Sequence, residues 1–171
     1  MNHIIRSSVL ITASLLSPGT LLLAASPGQP NIVFIMVDDM GYGDPQCYNA
    51  ESKIPTPNID SLARDGMRFT DAHAPGPLCH LSRYGLLTGQ YPFRAETRSW
   101  RTKASIKPGQ MTIASLLGDN GYRTSMVGKW HLGFDENGYD NPLPGGPVDR
   151  GFDTYFGIRA STDIPPGGAA R

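Results

Sequence analysis

The sequence carries no excess of either charge: fifteen Lys and Arg are balanced by fifteen Asp and Glu over 171 residues. A nucleic-acid partner calls for a basic surplus and a solvating tail for an acidic run, so the composition excludes both classes. Cysteine is scarce. Cys47 and Cys79 are the only two, which leaves at most one disulfide for an oxidising compartment to form. No internal repeat is visible, and no run after residue 26 approaches the roughly 20 apolar residues of a bilayer crossing. Stable membrane association is therefore not expected. What is plentiful is turn chemistry, with 20 Gly and 15 Pro, against a modest 39% hydrophobic content. A chain of this length ordinarily makes one domain with its own core.

Residues 1–26 read as a cleavable signal peptide. Arg6 gives a positive start, Val9 to Leu23 is mostly apolar but interrupted by Ser17, Pro18 and Gly19, and Ala24, Ala25 and Ser26 are small residues suited to cleavage. The expectation is an exported, periplasmic or extracellular protein made of residues 27–171.

Asn31 to Val37 is continuously apolar and β-branched at several positions, the pattern of a strand buried on both faces of a parallel sheet. Thr56-Pro57 predicts a helix start, with Ile59, Leu62 and Ala63 as its inner stripe and Gly66 as its stop. Met67 to Thr70 is a second, short strand candidate. After the Pro75-Gly76-Pro77 turn, a helix is expected over His80 to Thr88, closed by Gly89, with Leu81, Gly85, Leu86 and Thr88 on its apolar or small face. Another is expected from Thr112 to Asn120 ahead of Gly121, then a strand over Tyr122 to Val127. This alternation predicts an α/β domain with a mainly parallel sheet. The segment from Pro165 to Arg171 reads as unstructured.

Functional groups in such folds collect beyond the carboxyl ends of strands, and four motifs fall there. Asp38-Asp39 follows the first strand; adjacent carboxylates repel unless neutralised, and hard cations such as calcium take oxygen donors of this kind. A solvated loop pair would look the same, but the glycines of Met40-Gly41-Tyr42-Gly43 let a backbone wrap a site closely. Cys79, at a helix start after a rigid turn, meets the positive end of the helix dipole, which favours a thiolate or a bound anion. Arg83 lies one turn along on the same face and can support that charge; a structural cysteine on a core helix is the alternative. In Gly128-Lys129-Trp130-His131-Leu132-Gly133, Lys129 and His131 project to one side of an extended chain, a pairing suited to oxyanion stabilisation and leaving-group protonation. The spacing from Gly121 to Gly128, and Trp130 in place of Ser or Thr, exclude a P-loop. The fourth motif, Gly151 to Ser161, says by itself only that aromatic residues pack near a turn.

In this order, the acidic pair, Cys79-His80-Leu81-Ser82-Arg83 with Leu87-Thr88-Gly89, and Gly128-Lys129-Trp130-His131 resemble the type I sulfatases of the alkaline phosphatase superfamily, from Asn31 to about Asp163. The resemblance implies a three-layer αβα sandwich around a mainly parallel sheet, and hydrolysis of sulfate esters. It implies Asp38, Asp39 and the group at position 79 as calcium ligands, and conversion of Cys79 by a formylglycine-generating or sulfatase-maturing enzyme to Cα-formylglycine. The hydrate of that group is the implied nucleophile: one hydroxyl displaces the alcohol, and the second expels sulfate. Arg83 would stabilise the hydrate, Lys129 would bind sulfate, His131 would hold or assist a hydroxyl, and Ser161 would lie near the sulfate. A Cys47–Cys79 disulfide would consume the nucleophile, so the resemblance favours Cys47 as a lone thiol. Leu81 departs from the family, which has Pro or Ala there. Family members run to several hundred residues and bring an Asp/Asn pair, a second His and a second Lys later in the chain. Between His131 and Arg171 there is no His or Lys. The resemblance therefore implies the N-terminal portion of a catalytic domain, truncated and not expected to turn over substrate alone. A phosphodiesterase or phosphonate monoester hydrolase of the same superfamily, and a non-catalytic vestigial fragment, are the competing readings.

Overall fold

The structure, a computed structural model, describes residues 28–135 and 144–160. The chain divides into two units, residues 1–30 and 31–171. Only residues 28–30 of the first are described, and the second carries everything that follows. The signal peptide expected over residues 1–26, Ser161 and the segment from Pro165 lie outside the described residues.

Among the described residues, three α-helices, two 3-10 turns (Pro92–Arg94 and Val148–Arg150) and one parallel strand pair make up the regular structure of this partial α/β fold. Helix α1, Pro57–Asp65, starts on a proline whose fixed φ suits the first turn and stops at Gly66. The Thr56 hydroxyl does not cap the backbone; it donates to the Asp60 carboxylate, which also accepts the Cys47 amide at 2.8 Å. Helix α2, Cys79–Thr88, is set off by the rigid turn before it, where the Ser82 hydroxyl bonds the Gly76 carbonyl. It closes on Gly89 in the left-handed region at φ 65°, where a side chain would be strained. Helix α3, Ile113–Asp119, carries a reciprocal capping box between Thr112 and Ser115, satisfying two otherwise orphaned donors. Strands β1, Ser125–Val127, and β2, Thr154–Phe156, pair in parallel with Met126 opposite Tyr155.

The structure corrects several expectations. Residues 31–37 form no ladder and are exposed, Val33 at 83% and Ile35 at 75%. Residues 67–70 form no strand either, and Met67 and Phe69 are exposed. A strand exists only through a hydrogen-bonded neighbour, and among the described residues neither segment has one. The α1 stripe buries nothing, with Leu62 exposed outright. On α2 the buried side chains are Tyr84 and Leu87, rather than Leu81, Gly85, Leu86 and Thr88. Strand β1 occupies only the last half of the expected 122–127, and β2 arises in the segment read as a turn.

The core sits under the loop that follows β1. Tyr84 and Leu87 of α2 pack with Ile106, Trp130, Leu132 and Phe134, flanked by Met126 and Tyr155 from the two strands. The Trp130 indole nitrogen, fully buried, donates to the Gly133 carbonyl at 2.9 Å, so its polar edge is satisfied inside the core. Arg150 is buried as well; its Nε bonds the Ile106 carbonyl at 2.8 Å and ties the second 3-10 turn, Val148–Arg150, to this core. The consequence is a fixed platform immediately beneath residues 128–133.

Candidate active site

Three segments far apart in sequence deliver the site. The turn at Asp38-Asp39 ends the extended run, the N-terminus of α2 carries Cys79 and Arg83, and the loop after β1 carries Lys129 and His131. The Lys129 ammonium lies 2.6 Å from one Asp38 oxygen across 91 residues of sequence, and Arg83 Nη2 lies 3.5 Å from the other. Arg83 also donates to the Lys129 carbonyl, fixing helix to loop. Ligating atoms of Asp38, Asp39 and Cys79 all lie within 4.8 Å of one another. Five of the six described site residues read from the sequence thus meet in one place.

The loop is held by an extension of the β1–β2 ladder. The Gly128 amide donates to the Phe156 carbonyl, the Trp130 amide to Ile158 and the His131 amide to Arg159. The Tyr155 hydroxyl bonds the Ile158 carbonyl at 2.8 Å. A Cβ at Gly157 would overlap the Gly128 carbonyl, so only glycine permits this approach. Gly157→Ala is expected to lose about 1–3 kcal/mol of stability, seen as a lower denaturant midpoint.

Two non-glycine residues among those described have positive φ, Asp39 at 56° and His131 at 59°. Left-handed backbone at such residues is unfavourable and persists where surrounding contacts enforce it, commonly at functional sites. It also changes the expected Lys129–His131 relation, because residue 131 is not extended. Lys129 reaches Asp38, whereas the buried His131 ring meets the Trp100 indole edge-on at 4.3 Å and the His80 ring at 5.6 Å. Trp100 and His80 were not legible as site residues. Trp100 sits in a polar, turn-rich segment with no periodicity, and only its aromatic character marks it.

The electrostatics follow from this geometry. Hydrogen bonding to Lys129 holds the Asp38 carboxyl below the usual range despite partial burial, and Arg83 adds to the effect. Burial would lower Lys129, but the Asp38 hydrogen bond and the adjacent Cys79 outweigh it and raise the ammonium above its ordinary value. Burial lowers His80. A depressed carboxylate contributes stability above its ordinary pKa and loses it as pH falls; a raised ammonium contributes below its ordinary pKa and loses it as pH climbs. In chelator, the wild-type advantage over Asp38→Asn is therefore expected between about pH 4 and about pH 10, shrinking outside both limits in pH-dependent denaturant unfolding.

The donor set fits a hard cation in part. Two carboxylates suit calcium, but calcium seeks six to eight oxygens and a thiol is a soft ligand. Cys79 fits that role only if its sulfur stands in for the oxygen of a converted residue. Both cysteines are free thiols; Cys47 lies away by the Asp60 carboxylate, where burial and that carboxylate push its thiol pKa up. Arg83 Nε is buried without a hydrogen-bond partner among the described residues. A buried donor left unmade costs about 1–3 kcal/mol, which an anion or a water here would relieve.

A helix-start cysteine, two cations paired with Asp38 and an acidic pair thus gather beside a parallel strand pair in an α/β chain. A family profile described as sulfatase matches residues 30–166, and the chain belongs to the sulfatase family. It is 42% identical over 159 residues to human arylsulfatase A, covering 88% of this chain and 30% of that one. With N-acetylgalactosamine-6-O-sulfatase of Bacteroides thetaiotaomicron the identity is 40% over 144 residues, covering 81% and 28%. With human steryl-sulfatase it is 38% over 150 residues, covering 81% and 25%. A solved Bacteroides thetaiotaomicron chain, described under metabolism of multiple glycosaminoglycans, superposes with a TM-score of 0.74 at 40% identity, over 81% of this chain and 30% of that chain. The crystal structure of Ps i-CgsB gives 0.59 at 34% identity, over 72% and 27%. The chain thus spans between a quarter and three-tenths of the length of these relatives. Among the described residues no helix is long and apolar enough to cross a membrane.

Proposed function

We propose that residues 27–171 form the front portion of the catalytic domain of an exported sulfuric ester hydrolase of arylsulfatase type, the portion that carries the nucleophile and the charge around it. One observation carries the reading: Cys79, Arg83 and Lys129 meet the Asp38-Asp39 pair from three separate segments.

Attack on the sulfur of an anionic ester moves charge onto the sulfate oxygens and the departing alcohol. Lys129 and Arg83, held by Asp38, meet that charge without reorganising, and the unused Arg83 Nε offers a further donor. His131, buried and positioned by Trp100, would hold or move a proton at the nucleophile or leaving oxygen. Asp38 and Asp39 would hold a calcium ion, which when bound would supply positive charge to offset the negative charge developing in the reaction. A maturation enzyme would convert Cys79 to formylglycine, and addition of water to that aldehyde would give two hydroxyls on one carbon. One would bond sulfur as the alcohol leaves, and the other would lose its proton and expel sulfate, restoring the aldehyde. Ser161 would contact the sulfate.

The test is turnover of 4-nitrophenyl sulfate, set against bis(4-nitrophenyl) phosphate, by the protein from its complete reading frame, coexpressed with a sulfatase-maturing enzyme. Preferential release of nitrophenol from the sulfate is expected. Preference for the phosphodiester would move the protein to a neighbouring activity, and no release with no calcium binding would make it non-catalytic.

A further inference from the structure

Residues 99–105 form a turn that closes over the loop carrying His131. Within it the Thr102 and Lys103 amides both donate to the Ser99 carbonyl at 2.9 Å. Two further bonds tie the turn to the loop: the Ser105 amide donates to the Leu132 carbonyl at 2.8 Å, and the Ala104 amide to the Asp135 carboxylate at 3.2 Å. Between these bonds the approach is backbone to backbone. A Cβ at Gly133 would overlap the carbonyl oxygens of Trp100 and Lys103, so the missing side chain is what lets the two segments meet. The turn is thereby fixed to the same platform as His131, and Trp100 is carried on it.

This places the half-buried indole against the buried His131 ring, with 4.3 Å between centres and 86° between planes. The indole also lies 5.7 Å from the His80 ring, and the Arg101 guanidinium sits over it at 5.3 Å. The amide bond from His131 to the Arg159 carbonyl holds the backbone, but the outer torsion of an imidazole is broad and two-fold, so backbone alone leaves the direction of the ring nitrogens open. A large, flat side chain packed against the ring narrows that choice. Direction matters because a proton passes between a ring nitrogen and an oxygen only within hydrogen-bond reach. We propose that Trp100 is a positioning residue, carried by the 99–105 turn, that sets the direction of the His131 imidazole. This role rests on the sulfatase reading, in which His131 handles a proton. Trp100 also lines an open groove beside α2, so a positioning residue has to be told apart from a binding wall.

Trp100→Ala and Trp100→Phe are made in the matured protein from its complete reading frame and assayed well below their denaturant midpoints, so that loss of folded protein does not contribute. With 4-nitrophenyl sulfate, Trp100→Ala is expected to lower kcat about a hundredfold, the scale of a misplacement of about 1 Å, with KM close to wild type. Trp100→Phe keeps a flat ring against His131 and should recover most of that loss. Acylation of His131 by diethyl pyrocarbonate, read by mass spectrometry of its peptide, should be faster in Trp100→Ala and near wild type in Trp100→Phe, and this readout needs no turnover. Unchanged kcat and acylation in Trp100→Ala, or a kcat loss that Trp100→Phe does not recover, would overturn the proposal. A raised KM with kcat kept would overturn it too, making Trp100 a wall of the groove. If acylation follows the expected order but no form of the protein, wild type included, hydrolyses the sulfate, the sulfatase reading fails and the positioning of His131 by Trp100 stands.

Discussion

Cys79→Ser is expected to leave the matured protein able to accept a sulfo group once and unable to release it. The serine oxygen occupies the place of the sulfur between Lys129, Asp38 and Asp39. It can bond sulfur and discharge the alcohol, but it lacks the second hydroxyl on the same carbon that would expel sulfate. Multiple turnover of 4-nitrophenyl sulfate should fall by about a millionfold, the scale on which losing a nucleophile acts. A stoichiometric burst of nitrophenol should remain, and the tryptic peptide Phe69 to Arg83 should carry the added sulfo group by mass spectrometry. The same wild-type peptide should show Cys79 converted to the aldehyde. An intact thiol there, or a bridge to Cys47, in a host that matures other sulfatases, would remove formylglycine from the mechanism. Sustained turnover by the serine variant would remove the two-hydroxyl argument itself.

Replacing Asp38 and Asp39 together by Asn is expected to abolish calcium's effect on this chain. The two carboxylates are the hard donors of the cluster, and Asn retains the shape but not the charge. At a hundredfold excess over its dissociation constant, calcium should stabilise wild type by about 2.7 kcal/mol, visible as a higher unfolding midpoint. The double variant should show no shift at the same concentration. Asp38→Asn alone also frees Lys129 and Arg83 of their shared counter-ion, so it should bind inorganic sulfate more tightly while binding calcium less. A calcium shift that survives the double substitution would place the metal elsewhere.

Local rules carried the helices. The turn before α2, the glycine after it and the Thr112 cap act within a few residues, so their chemistry is written in short windows. They also placed Cys79 at a helix start with Arg83 one turn on. What did not follow were pairings across sequence. The parallel match of β1 to β2 spans 29 residues, and nothing in Thr154-Tyr155-Phe156 announces a partner. Burial failed for the same reason: the 31–37 run reads as core by composition, yet burial is a property of what packs against it. Trp100 joins His131 across 31 residues that include α3 and β1. The left-handed backbone at Asp39 and His131 was equally invisible, since both residue types adopt other conformations more often.

The exposed run at 31–37 also bears on how this chain behaves in a test tube. A seven-residue window of high β-propensity, without charge or proline, is the kind of segment that seeds cross-β fibrils when it is left uncovered. Here it is bracketed by Pro30 on one side and by Asp38 and Asp39 on the other. Proline denies one end a ladder donor, and the two charges oppose stacking of identical copies at the other, the arrangement of a gatekeeper pair. The acidic pair therefore opposes stacking of this run, apart from any part it takes in the proposed site. On prolonged incubation at high concentration, its neutralisation by low pH should speed the appearance of thioflavin fluorescence.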